Sequence, residues 1–237
     1  MRLLRAASAD LRRWGLATGA LLLVSASFGA ASAFGAIADW EMNEGANATT
    51  MHSTGSGPDG SIGSAVVTGV VTNGAKGYRW RSENRFGSAH PERLVKVNSS
   101  KLNPGTANFT VIMRFMTGSF GDQNIIQKGQ ATTNGGQWKI PIKNGKVGCN
   151  FLGVQHRSAV WSNKIIADNK WHVVRCDRRT GGVTIRIDGG APKTNHRWTG
   201  KISNTWPVTI GGKLKCNQQS VGCDYFVGHI DRIVVWR

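Results

Sequence analysis

Apolar and polar side chains alternate at period two along much of the chain, and no stretch sustains a helical period. Val183, Ile185 and Ile187 fall on one side of an extended backbone, while Thr184, Arg186 and Asp188 fall on the other. That is a strand with one face buried. It follows Trp171–Asp177, where Val174 and Cys176 share a face, across a turn containing Gly181-Gly182, so residues 169–189 are predicted as an antiparallel hairpin. A second hairpin joins Gln137–Lys143 to Lys146–Leu152 through Asn144-Gly145, a pair that supplies the positive φ a type I′ turn demands. Phe109, Val111, Met113 and Phe115 alternate with Thr110, Ile112 and Arg114, as in a central strand covered on at least one face. Further strands are predicted at Ile37–Gly45, Val66–Val71, Leu94–Val97, Asn124–Lys128, Val208–Gly211 and Val227–Trp236. Residues 46–63, with Ser56-Gly57 and Asp59-Gly60, are predicted as loop. About twelve strands suffice for two packed antiparallel sheets, so the fold class is all-β.

Composition agrees, with 31 glycines among 237 residues and no linker or repeat to divide the chain. One domain over residues 37–237 is expected. At the N-terminus Arg2, Arg5, Arg12 and Arg13 precede an apolar run, Leu16–Ala30, and then Ala31-Ser32-Ala33. This is the order of a signal peptide, residues 1–33, with cleavage after Ala33 because a cut after Ala36 would put Phe34 where a small side chain is required. Gly15 after Trp14 departs from the twin-arginine pattern, and the apolar run is short and interrupted for a bilayer, so a secreted, extracellular protein without stable membrane insertion is expected.

Export changes the reading of the cysteines. Cys149, Cys176, Cys216 and Cys223 lack the spacing of a zinc site, and outside the cell disulfides are the default, with three pairings open. Cys149 shares a face with Val147 and Phe151, and Cys176 with Val174, so both thiols are expected in the core. If their strands are neighbours, Cys149–Cys176 is a cross-strand bridge and Cys216–Cys223 closes a small loop. The longer bridge would contribute about 3 kcal/mol by the loop-entropy argument.

The formal net charge is +17; without the four arginines and one aspartate of residues 1–33, 26 basic side chains face 12 acidic ones, a balance of +14. Such a surface attracts acidic or sulfated polysaccharide and other polyanions, and equally serves solubility.

The residues also carry a resemblance. Trp171-His172-Val173-Val174 leading into Val183–Gly189 is similar to the laminin-G-like domains of the concanavalin A-like lectin/glucanase superfamily. Ala38-Asp-Trp-Glu-Met-Asn-Glu-Gly45 resembles the opening strand of bacterial members, and Ser53-Thr-Gly-Ser-Gly-Pro-Asp-Gly60 the Gly-rich loop after it. Leu102–Met116, Ile126–Lys128 and Gly228–Trp236 match later strands in the family order. The resemblance implies a jelly-roll β-sandwich that binds carbohydrate or protein outside the cell, in a superfamily that holds both binders and hydrolases.

Catalysis in the glucanases rests on paired carboxylates along one strand. The nearest match here, Asp39-Trp-Glu-Met-Asn-Glu44, has another order: Asp39 and Glu41 share a face and Glu44 does not. No catalytic residue is therefore predicted, and a non-enzymatic binder is expected, with a glycoside hydrolase as the alternative. No cofactor is required by the pattern. Calcium, bound by some laminin-G-like domains, is a candidate without an assigned site, Asp122, Asp168 and Asp224 lying in or near predicted loops. Two ligand surfaces are predicted. One is a single basic sheet face formed by Lys139, Lys143, Lys146, Arg175 and Arg186, suited to sulfate, phosphate or carboxylate. The other is a set of loop tryptophans, Trp161, Trp198 and Trp206, which could stack on sugar rings, whereas Trp40, Trp171 and Trp236 match family strand positions and are expected in the core. The predicted partner is a glycan or acidic polysaccharide, with another polyanion or an extracellular protein as alternatives. Nothing specifies nucleic acid, and charge-driven binding to nucleic acid or an anionic surface would show as steep salt dependence.

Overall fold

The computed structural model describes residues 35–81, 89–216 and 223–237. The predicted signal peptide, residues 1–33, lies outside them. Sixteen strands occur among the described residues: β1 (Ala36–Trp40), β2 (Thr50–Met51), β3 (Gly60–Ile62), β4 (Val67–Thr72), β5 (Ala75–Trp80), β6 (Val95–Val97), β7 (Phe109–Met116), β8 (Gln123–Lys128), β9 (Gln137–Lys143), β10 (Lys146–Leu152), β11 (Arg157–Trp161), β12 (Trp171–Arg179), β13 (Gly182–Ile187), β14 (Lys193–Asn195), β15 (Val208–Ile210) and β16 (Gly228–Trp236). Two single 3-10 turns, Pro91–Arg93 and Ser100–Leu102, are the only helices there.

The strands form two antiparallel sheets. Sheet A runs β14-β13-β12-β7-β16-β5-β4, with β1 beside the C-terminal half of β16; sheet B runs β11-β10-β9-β8-β15-β6-β3-β2. Chain neighbours are often not sheet neighbours, β7 lying between β12 and β16, and the result is a jelly-roll sandwich. Period-two alternation decides what lies between the sheets. Phe109, Val111, Met113 and Phe115 of β7 are fully buried, as are Trp138 and Ile140 of β9 and Val147 and Phe151 of β10. Phe109 packs on Trp138 and Phe151 with ring centroids 5.3 and 6.4 Å apart.

Both predicted hairpins are present. Asn144 (φ 50°) and Gly145 (φ 71°) make the two-residue turn of β9–β10. In β12–β13, Gly182 already pairs with Arg179, so the loop is Thr180-Gly181. The opening strand is shorter than predicted because Met42 adopts φ 49°, leaving the extended region just after Trp40. Residues 46–63 hold two short strands, β2 and β3, where loop was expected. β5, β11 and β14 were also missed: β11 and β14 are short edge strands, and β5 carries Gly77, which lets Ile230 of the neighbouring strand approach closely.

The cysteines pair as Cys149–Cys176 and Cys216–Cys223, with Cα–Cα distances of 5.7 and 4.3 Å. Their geometry corrects one expectation. β10 and β12 are not neighbours in one sheet; Cys149 belongs to sheet B and Cys176 to sheet A, so the bond crosses the core and ties the two sheets together. Alternation tells that a residue points inward, not which sheet it starts from. Among the tryptophans expected in the core, Trp40 is fully buried, but Trp171 and Trp236 are only half-buried. Trp171 lies on the outer side of sheet A, its ring 4.7 Å from the Arg114 guanidinium.

A candidate ligand-binding cleft

Since Trp138, Ile140 and Ile142 of β9 point inward, Lys139, Pro141 and Lys143 point outward, and on β10 Lys146, Gly148 and Asn150 do the same. Asn124 of β8 stands opposite Pro141, Asn150 opposite Lys139, and Trp161 of β11 opposite Gly148. With Asp122 and Asp224 these side chains surround a cleft of about 170 Å³ on the outer face of sheet B.

The wall at Trp161 depends on a glycine. A Cβ at Gly148 would sit 2.8 Å from Trp161 Cε3, so only glycine lets the indole lie flat over the strand. Asn124, fully buried, forms the floor. Its Nδ2 donates to Asp224 Oδ2 (2.9 Å) and its backbone N–H to the Asp224 carbonyl (2.8 Å), while its Oδ1 has no partner. The Asn150 Oδ1 is likewise buried and unpartnered. A buried acceptor left unpaired costs about 1–3 kcal/mol, so two beside one cleft mark it as a place where a donor would be stabilising.

The charges are partly matched. Lys213 pairs with Asp224 at 2.7 Å, and Lys143 lies 3.9 Å from Asp122. Lys139 has no hydrogen bond or ion pair among the described residues. Burial pushes its ammonium below the usual lysine value, and the Asp224 carboxylate offsets part of that effect.

The predicted basic face is therefore not one face. Lys139, Lys143 and Lys146 lie on the outer side of sheet B, whereas Arg175 and Arg186 lie opposite each other on the outer side of sheet A, across the sandwich. Placing both hairpins in one sheet produced the error. Arg175 is also engaged, donating to both Asp177 carboxylate oxygens at 2.7 and 2.9 Å. Of the three loop tryptophans, Trp161 alone lines the cleft. Trp198 is half-buried with its ring 4.4 Å from the Arg178 guanidinium, and Trp206 is half-buried with Lys215 5.7 Å from its centroid.

The aspartates considered for calcium each already have a partner. Asp122 faces Lys143, Asp224 is held by Lys213 and Asn124, and Asp168 accepts from the His172 ring at 2.9 Å, its carboxyl held low against burial by that contact and the Lys170 N–H. No group of three metal-ligating side chains occurs among the described residues. Asp39, Glu41 and Glu44 do not assemble a carboxylate pair across a cleft either. Arg232 grips Asp39 at 2.9 and 2.6 Å, Glu41 accepts from Asn43 at 2.9 Å, and Glu44 accepts from the Tyr78 hydroxyl and from the His52 N–H. Asn124 was missed as a cleft residue, and Asp224 was considered only for calcium. The alternation that might have oriented Asn124 is broken by a register shift between Asn124 and Ile126, and Asp224 arrives from a distant irregular segment.

Comparison with known proteins bears on this geometry. The family model Laminin_G_3, described as the concanavalin A-like lectin/glucanases superfamily, matches residues 92–237. The chain belongs to this superfamily. Similar solved structures of the laminin-G-like fold include the binding domain of Paraclostridial Mosquitocidal Protein 1, at 15% identity and TM-score 0.62, covering 86% of this chain and 49% of that one. The binding domain of Botulinum Neurotoxin DC in complex with SialylT matches at 14% identity and TM-score 0.59, covering 86% and 47%. The botulinum neurotoxin serotype C1 binding domain gives 15%, 0.59, 86% and 48%. The chain thus spans about half the length of these structures. No curated protein matches it.

Proposed function

We propose that the protein is a secreted, non-catalytic carbohydrate-binding domain whose ligand occupies the cleft on sheet B. The observation that carries this reading is the pair of unpartnered amide oxygens, Asn124 Oδ1 and Asn150 Oδ1, in the same cleft as the flat Trp161 indole. A sugar offers hydroxyl donors on its rim and an apolar ring face, which is what two acceptors beside an indole call for. Secretion is supported by the leader-like residues 1–33 and by two disulfides. The absence of catalysis is supported by the engagement of the cleft's carboxylates, Asp122 and Asp224, with lysines, since glycoside hydrolysis needs one carboxyl free to protonate and another to attack or to activate water.

A glycan array probed with the mature domain at low and moderate salt tests the reading. Binding should be selective among glycans and fall by about tenfold or more in Trp161→Ala, with the circular dichroism spectrum unchanged. Equal binding by Trp161→Ala and wild type, or no glycan bound at either salt, overturns it. Binding that follows charge alone and collapses with salt would instead make the +14 surface the active feature.

A further inference from the structure

The charges inside the cleft point to a narrower ligand class, on the premise that the cleft is the glycan site proposed above. Its carboxylates are answered from within the protein: Lys213 is 2.7 Å from Asp224, and Lys143 is the cation nearest Asp122, at 3.9 Å. One charge has no such answer. Lys139 is half-buried at the middle of β9, with Asn150 across one strand boundary and Gln127 across the other, and no carboxylate of the described residues lies within ion-pairing distance of its Nζ. Asp224 and Asp122 attract it only from beyond ion-pairing distance, so the cost of withdrawing this cation from water is offset in part, and its ammonium is left able to take an anion from a ligand.

The surroundings say what kind of anion. Asn150 stands opposite Lys139 on β10, and Asn124, opposite Pro141 on β8, lines the same cleft; each has a side-chain oxygen without a partner among the described residues. A bare sulfate ion offers no donors to these amides, and a phosphate ion has no apolar face for the indole. A hydroxyl-rich ring bearing one negative substituent offers both, with its apolar face toward Trp161. Lys146 and Lys143 at the mouth, both exposed, would favour approach of such a ligand without selecting it. We infer that the cleft is selective for an acidic saccharide, its bound sugar placing a carboxylate or sulfate against Lys139 and hydroxyl donors against the Asn124 and Asn150 amide oxygens.

An array of uronate oligosaccharides printed beside their carboxyl-reduced counterparts, and of sulfated oligosaccharides beside their desulfated ones, separates the possibilities. The acidic member of at least one matched pair should bind about tenfold more tightly than its neutral twin, and Lys139→Met should erase that preference while retaining weak binding of the neutral form. Lys76→Met, which removes an equal charge from sheet A, should leave the preference intact, so that general electrostatics is told apart from the site. The preference should also decline as rising pH deprotonates the ammonium, at a lower pH than an ordinary lysine requires, and Lys139→Met should show no such decline. Equal binding of acidic and neutral twins overturns this inference and leaves the carbohydrate reading standing. Failure of every saccharide on the array overturns both. Loss of the preference in Lys76→Met as well as Lys139→Met overturns the inference in favour of bulk charge.

Discussion

Arg178, Lys128 and Lys139, all withdrawn at least partly from water, are each handled differently. Arg178 is fully buried and satisfied by neutral oxygens alone, donating to Thr199 Oγ1 (2.8 Å) and to the carbonyls of Ala107 (2.6 Å), Gly105 (3.2 Å) and Gly200; burial lowers its guanidinium to about 10. It fastens the loops at residues 105–107 and 199–200 to the end of β12. Lys128, equally buried, donates to the carbonyls of Ser99 (3.4 Å) and Trp206, and burial lowers its ammonium to about 8. A lysine held below its unfolded value of 10.5 binds its proton more tightly in the unfolded chain, so it handicaps folding fully below about pH 8 and progressively less as pH rises toward 10.5. Urea titrations should therefore show wild type gaining stability relative to Lys128→Met between about pH 8 and about pH 10, by up to about 3 kcal/mol; a difference that does not change with pH would contradict this. Parity made both residues legible in advance, since Arg178 shares a face with Cys176 and Lys128 with Ile126. Their charge concealed it, because long cationic side chains are ordinarily assigned to solvent whatever the register says. Lys139, by contrast, was correctly expected outside, and what its sequence context did not reveal was the depth of the wall around it.

Strands were readable where alternation is long and unbroken, as in β7, β9, β10, β12 and β13, and unreadable where strands are short, polar or bulged. The limit was not inside-versus-outside but the assignment of each hairpin to a sheet. Two hairpins that both present cations outward look alike in sequence, yet one set, Lys139, Lys143 and Lys146, ends on the opposite side of the sandwich from Arg175 and Arg186. Long-range pairings such as β12 with β7 decide this, and they leave no local trace. The β10–β11 pair carries an element-scale prediction. Gly148→Ala would put a methyl 2.8 Å from Trp161 Cε3 while keeping an extended backbone, so the indole must lift from the strand. Thermal stability should fall by no more than about 1 kcal/mol, and glycan affinity should fall by about as much as in Trp161→Ala. Wild-type affinity with a shifted tryptophan fluorescence would show that the ring's position does not matter.

At the scale of the whole molecule, two sheets are held face to face by apolar burial and by one covalent link through the middle. The Cys149–Cys176 bond closes a separation of 27 residues, for which chain entropy gives about 3 kcal/mol, so Cys149→Ala/Cys176→Ala should unfold at a correspondingly lower urea concentration in a calorimetric or fluorescence titration. An unchanged midpoint would mean that the hydrophobic core alone sets the stability. Cys216–Cys223, spanning a separation of 7 beside Leu94 and Tyr225, secures only the small cluster next to the segment that delivers Asp224. Both pairings were anticipated from face and spacing; the span between sheets was not.

That central link has a practical corollary. Cys149 and Asn150 are consecutive in β10, one anchored to the far sheet and the other offered to the cleft. On the proposed reading, recognition and anchorage occupy opposite sides of a single strand, and loss of the disulfide would act on the ligand's foothold from behind without touching any group the ligand meets. A domain purified from a reducing cytosol could pass for one that has no ligand at all.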